Sequence, residues 1–258
     1  LSSAAPNLAT KPTHTAATPT PQHNWYANRT TPFNRRRDLT PTPLVVVQPR
    51  TTEELAAAVT CLATAAATAA TSPVEACAKC GGHGFDNGAF CTDGVLLDVA
   101  LLQRFEVDPT RMRVTFGAGH TNGELYLKLR PHGLVVPLGT ESSVGASGLI
   151  LGCGRGLLTN LHGLACDSLV EIEYVDALGV LRTANATANA DAFWLARGSG
   201  GDFPGVATAL FYFASCGAFA AIDLLAPAAA VVLRGAGCGS GAPRGPWRMR
   251  MCLRAGFE

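Results

Sequence analysis

Three glycine clusters and one histidine hold most of the chemical potential of this 258-residue chain. The first cluster is Cys80-Gly81-Gly82-His83-Gly84-Phe85, with Gly88 after it. The second runs from Gly139-Thr140 through Val144-Gly145 to Gly148, Gly152, Gly154 and Gly156, and the third is Gly198-Ser199-Gly200-Gly201. Backbone N–H groups can hold a pyrophosphate only where the chain approaches closely and some residues take positive φ, which glycine allows. No lysine is needed when enough amides converge. His83 follows directly on a Gly-Gly pair. A neutral imidazole titrates near neutrality and is a competent nucleophile towards an electrophilic carbon.

Each feature also has an ordinary reading. Isolated glycine loops are turns, and a loop histidine is usually only solvated. The chain has no G-x-x-x-x-G-K-[ST], which excludes a P-loop, and no G-x-G-x-x-G after its first strand, which argues against a Rossmann unit. Gly152-Cys153-Gly154-Arg155-Gly156 is a weak signal alone. Cys77-Ala78-Lys79-Cys80 lacks a second pair at matching spacing, so no metal site is expected, and the C-x-x-C reads as a coincidence in a loop. His120, His132 and His162 fall at turns or helix edges and read as structural. Nine cysteines form no regular framework in a chain too long to need one, so most read as small buried apolar residues.

The elements that must carry these loops are legible in outline. Residues 1–23 are rich in Ala, Thr, Pro and Ser and read as a disordered tail, with order beginning near Trp25-Tyr26. Leu44–Val47 is a β-branched buried strand. A helix capped by Thr51 or Thr52, with Glu53 and Glu54 in its first turn, runs to about Thr71 and stops at Ser72-Pro73. Val95–Val99 is a strand, and Phe105–Val107 with Arg113–Phe116 form a hairpin about Asp108-Pro109. A helix over Asn122–His132 ends at Gly133. Residues 139–156 read as one long loop. A second hairpin joins Leu169–Val175 to Val180–Arg182, a short helix covers Asp191–Arg197, and Val206–Phe213 is a strand. Beyond Ala214 the pattern degrades. Interleaved strands and helices without an internal repeat give an α+β or α/β domain, with α+β the class expected.

Charged residues are 15% of the chain, the net charge is +1 and no basic stripe appears, so no nucleic-acid partner is expected. No apolar run reaches the roughly 18 to 20 residues of a membrane span. The chain begins at Leu1 and shows no leader pattern; removal of a leader would be compatible with secretion, and the compartment is left unassigned. The sequons at Asn28 and Asn185 matter only in that case.

The full string carries more than its parts. Pro43-Leu44-Val45-Val46-Val47-Gln48-Pro49 with Thr51–Leu55, then Gly81-Gly82-His83 and Asp93-Gly94-Val95-Leu96-Leu97-Asp98-Val99, resemble the opening of the FAD-binding domain of the vanillyl-alcohol oxidase / p-cresol methylhydroxylase superfamily. Gly117-Ala118-Gly119 with Gly123-Glu124-Leu125-Tyr126 is similar to its next turn and helix. Gly139-Thr140, Val144-Gly145, Gly148, Leu151-Gly152 and Gly163-Leu164 with Asp167 resemble its second loop and the stretch after it. Asn189–Trp194 with Arg197–Phe203 and Gly205-Val206 resemble the closing segment. The likeness spans residues 25–213 and is nearest to the berberine bridge enzyme-like branch.

That resemblance implies a PCMH-type domain of two α/β subdomains over residues 24–213, with 214–258 a poorly ordered remnant or start of a substrate domain that is largely missing. It implies FAD, held by Gly81, Gly82, His83, Gly84, Phe85, Gly139, Thr140, Val144, Gly145, Gly148, Gly152 and Val175. His83 would carry the flavin covalently, its imidazole nitrogen attacking the 8-methyl carbon. The implied activity is an FAD-dependent oxidoreductase that passes a hydride from a small organic substrate to flavin, with O2 as acceptor. The rival reading is a truncated, non-catalytic FAD-binding remnant. No catalytic base, substrate or oligomeric state can be assigned. The chain departs from the family in four places. Glu141 stands where doubly linked members have a cysteine, so a single link is expected, and its charge could oppose a pyrophosphate. Gly84 replaces a usual Ser, Cys153 interrupts a triple glycine, and Asp202-Phe203-Pro204 replaces a common Asn-Phe, with Pro204 removing a backbone donor.

Overall fold

The computed structural model describes residues 7–10, 21–35, 41–68 and 74–216. Strand β1 is Asn7–Thr10 and helix α1 is Pro21–Thr30. Strand β2, Val45–Gln48, places Val46 in the core and leads into helix α2, Thr52–Thr68. The helix starts where it does because Thr51 Oγ accepts from Glu54 N at 3.2 Å while the Glu54 carboxylate accepts from Arg50 N at 2.8 Å. Leu55 and Val59 are its buried residues. The outer end expected near Thr71 lies outside the described residues.

Strand β3, Ala76–Lys79, and strand β4, Val95–Asp98, complete the first sheet. Its order is β1-β2-β4-β3, with β2, β4 and β3 parallel and β1 antiparallel on the edge. Two sequence expectations are corrected here. Asn7–Thr10, inside the supposed tail, pairs with the open edge of β2, and α1 begins before Trp25. Cys77-Ala78-Lys79 is strand rather than loop, because a parallel neighbour supplies its ladder partners. The carboxyl ends of the three parallel strands converge on Asp98, whose carboxylate is fully buried. Lys79 Nζ lies 3.2 Å from it, Arg29 3.6 Å and Gln48 Nε2 3.5 Å, and Ala100 N donates to it at 3.1 Å.

The second sheet is antiparallel throughout, in the order β5-β6-β10-β8-β9. Its strands are β5 Phe105–Asp108, β6 Arg113–Gly117, β8 Leu169–Asp176, β9 Leu181–Asn185 and β10 Gly205–Phe213. Both expected hairpins are present. Asp176 Oδ1 turns the second by accepting from Leu178 N and Val180 N at 2.9 Å each, and Gly179 takes φ 82°. A short pair, β7 Leu134–Val135 and β11 Ser215–Cys216, lies apart.

Helix α3, Asn122–Leu129, carries a reciprocal cap between Thr121 and Glu124 and ends in a 3-10 turn closed by Gly133 at φ 63°. The stretch 139–156, expected as one loop, contains helix α4, Ala146–Leu151. Six residues with a glycine among them are too few for a helical period to show. Helix α5 is Thr159–His162 and α6 is Ala190–Leu195. One apolar core joins both sheets, running from Leu55 and Leu97 to Phe116, Leu125, Ile150, Ile172, Leu210 and Tyr212. Among the described residues no helix is long and apolar enough to cross a membrane. The expectation for the chain beyond 216 lies outside the described residues.

Candidate functional site

The first glycine loop leaves the carboxyl end of β3, the edge of a parallel sheet where ligands characteristically sit. Lys79, paired with buried Asp98, also donates to Cys80 O at 3.3 Å and so anchors the start of the loop. Gly82 takes φ 69°, which turns the chain so that His83 points away from the core. The second loop meets the first there. A Cβ on Gly81 would come 2.9 Å from Ser143 O, and one on Gly145 would come 2.5 Å from Gly81 N and 2.6 Å from Cys80 Sγ. Two backbones can approach this closely only without side chains.

His83 sits at the mouth of an open cleft of about 350 Å³ lined by Thr31, Pro32, Phe33, Arg35, Gly81, His83 and Ser143. Phe33 stacks on the imidazole with centroids 4.4 Å apart and planes 23° apart, and Phe33 N donates to Gly82 O at 3.1 Å. Ser143 Oγ lies 3.0 Å from His83 Nε2. Glu141 is not itself a lining residue of the cleft but is bonded to one. Its Oε1 accepts from Ser143 N at 3.2 Å and from Ser143 Oγ at 2.9 Å. These two bonds, the backbone one first, hold its carboxyl below the usual carboxylate range.

Of the expected cofactor residues, Gly81, Gly82, His83 and Gly145 come together. Gly148 lies in the first turn of α4 with open space where its Cβ would be. Gly84 and Phe85 are exposed, and Phe85 meets Phe33 edge-on at 6.1 Å. Gly139 is buried against Leu149 and Asn122 and accepts from Tyr126 OH at 3.1 Å, whereas Thr140 is exposed. Val144 O accepts from Asn122 N at 2.9 Å, and Gly152 caps α4. Val175 is fully buried in β8, in register with Leu181 and Val206, and belongs to the hydrophobic core. Sequence reasoning did not single out Thr31, Pro32, Phe33, Arg35 or Ser143. The first four precede the first recognisable strand and carry no motif; Ser143 was visible only as a hydroxyl inside the second loop.

The cysteines divide more sharply than composition suggests. Cys153, at φ 58°, and Cys166 form a disulfide that ties the end of α4 to the turn before β8, so these two fall outside the apolar reading given to most of the cysteines. Cys61 is exposed. Cys77 is hydrogen-bonded to Cys91, and that bond first, then burial, holds the Cys77 thiol protonated. Cys80 Sγ instead donates to His120 O at 3.5 Å, and burial pushes its thiol up to about 12. The C-x-x-C is therefore divided between two sets of neighbours. Among the described residues no three His, Cys, Asp or Glu side chains are grouped to hold a metal ion. His120 is fully buried, with Nδ1 3.1 Å from Gly117 O and Nε2 2.7 Å from Lys128 Nζ.

This cleft suits a cofactor with an aromatic ring system. Its volume falls in the range of small-molecule sites, Phe33 supplies an aromatic wall, and Arg35, Ser143 and His83 supply polar groups. Gly148 has open space beside it in the first turn of α4.

The family model for an FAD binding domain matches residues 43–185. The FAD-linked oxidoreductase ptmO of Penicillium ochrochloron is 35% identical over 133 residues, covering 52% of this chain and 30% of that protein. The structure of Physcomitrella patens BBE-like 1 aligns with TM-score 0.70 and 27% identity over 81% of this chain and 42% of the other. Glucooligosaccharide oxidase from Acremonium strictum, described with 6-S-cysteinyl, 8α-N1-histidyl FAD, aligns with TM-score 0.65 and 32% identity over 72% of this chain and 37% of the other. The chain thus spans less than half the length of each of these proteins. The α+β, PCMH-type fold implied by the resemblance is the fold observed. Since the matched stretch holds both glycine loops and covers more than half the residues, the chain belongs to the FAD binding domain family.

Proposed function

We propose that this chain binds FAD as the cofactor-holding part of an oxidoreductase, with His83 as its covalent anchor. The observation that carries the reading is the meeting of the two glycine loops at Gly81 and Gly145, with His83 presented in a cleft beside them. Bound flavin would supply hydride acceptance from a small organic substrate and reoxidation by O2. The backbone of both loops would carry the dinucleotide, and Phe33 would hold the imidazole in place. A histidyl link is described for the Acremonium neighbour. For the second, cysteinyl link named there, Glu141 occupies the corresponding place by resemblance, and among the described residues the nearby Cys80 thiol stays protonated and faces His120, which supports a single link. Substrate and catalytic base are left to the part of the relatives that this chain does not match.

The test is an absorbance spectrum of the purified protein before and after acid precipitation. The expected result is a flavin band that stays with the precipitate and is lost in His83→Ala. A flavin that washes free retains binding and removes the covalent link. A colourless protein that fails to take up added FAD overturns the reading and leaves a non-catalytic remnant as the better account.

A further inference from the structure

A carboxylate can only accept hydrogen bonds, and this decides where every proton beside His83 must lie. Glu141 is ionised, so the 2.9 Å contact between its Oε1 and Ser143 Oγ uses the single hydroxyl proton of Ser143. Ser143 Oγ then has only lone pairs for its 3.0 Å contact with His83 Nε2, and Nε2 must bear the hydrogen. In the neutral imidazole the lone pair therefore lies on Nδ1. Among the described residues no hydrogen bond engages Nδ1. Ser143 is itself fixed by its N–H bond to Glu141 at 3.2 Å, and Phe33 fixes the plane of the imidazole.

We infer that Glu141, acting through Ser143, is the positioning residue that makes His83 a nucleophile at Nδ1. The inference rests on the attachment of flavin at His83 proposed above. Attachment joins Nδ1 to the 8-methyl carbon, breaks one C–H bond there and releases the Nε2 proton, while two electrons pass to the flavin and then to O2, giving hydrogen peroxide. As Nδ1 forms its bond the imidazole gains positive charge. Ser143 Oγ can take the Nε2 proton while passing its own to Glu141, and the carboxylate, bonded to the same hydroxyl, offsets the charge. A negative charge that seemed a liability beside a pyrophosphate loop thus gains a role. It is directed through a hydroxyl onto the imidazole.

The test uses imidazole nitrogen NMR shifts of His83 in flavin-free protein, together with the rate at which added FAD becomes acid-stable. The wild type should show hydrogen on Nε2 and a bare Nδ1. Glu141→Gln and Ser143→Ala should mix the tautomers and slow acid-stable incorporation by about tenfold or more. Ser143→Thr, which keeps the hydroxyl, should restore both. Hydrogen on Nδ1 in the wild type, or variants with unchanged tautomer and rate, would overturn the relay. Because the tautomer is read without flavin, a correct tautomer in a protein that never gains acid-stable flavin supports the relay and overturns the attachment reading alone.

Discussion

Gly81 and Gly145 touch backbone to backbone, so each is glycine because of the other: a Cβ on Gly145 would lie 2.5 Å from the Gly81 nitrogen. Gly145→Ala must push the two loops apart and should cost about 1 to 3 kcal/mol, read as a lower urea midpoint. Gly148→Ala is the contrasting case, because nothing lies within 4 Å of its added carbon. It should leave stability unchanged or slightly raised, yet lower FAD affinity by about tenfold if phosphates approach there. A Gly148→Ala protein that binds FAD normally would remove this residue from the cofactor surface.

Asp98 and Lys79 form an ion pair in which both side chains are buried, and Asp98 is the common partner of Lys79 and Arg29. Asp98→Asn should cost about 3 kcal/mol by leaving Lys79 without its carboxylate. Lys79→Met should cost less, since Arg29, Gln48 and Ala100 N still satisfy Asp98. Chemical unfolding of the two variants in one buffer checks the ranking, and equal losses would contradict it.

His120 should make the fold acid-sensitive. Burial first, and then the Lys128 ammonium, lower its pKa, against the opposing bond to Gly117 O. The unfolded chain therefore takes up a proton near the ordinary histidine value of about 6.5 while the folded chain resists it. Its contribution is complete above that pH and is lost as pH falls through the window below it. Unfolding midpoints at pH 8 and pH 5 should show a drop that is smaller in His120→Gln.

The Cys153–Cys166 disulfide closes a sequence separation of 13 residues. Cys166→Ser, or reduction of the wild type, should lower stability by about 3 kcal/mol. Reductant should shift the wild-type melting curve and leave that of the variant in place.

Much of this fold can be read from local chemistry. Asp108 fixes the first hairpin by accepting from Thr110 N and Arg111 N, and Thr121 with Glu124 fixes the start of α3. What escaped reading depends on distant partners. β1 is strand only because β2 offers an edge, β3 because β4 lies beside it, and α4 is too short for a period to show. At the candidate site His83 and the glycines were legible as motifs. Phe33 and Arg35 were not, because only the fold brings residues before β2 against a loop after β3. Val175, expected at the cofactor from the resemblance alone, has its side chain in the packed interior of a sheet, a placement that depends on the strands on either side of it.

The central strand of the larger sheet, β10, follows all four of the other strands in the chain. Ala209 pairs with Gly117, and Leu210 with Ile172, so the ladder is built from contacts far apart in sequence. Folding must therefore close loops of roughly a hundred residues, the separation of Phe213 from its partner Arg113, before this sheet gains cooperativity, which sets a slow, high-contact-order search. A chain still under synthesis would hold two separate hairpins with unpaired edges until residue 213 emerged, and that interval is when it would most need a chaperone.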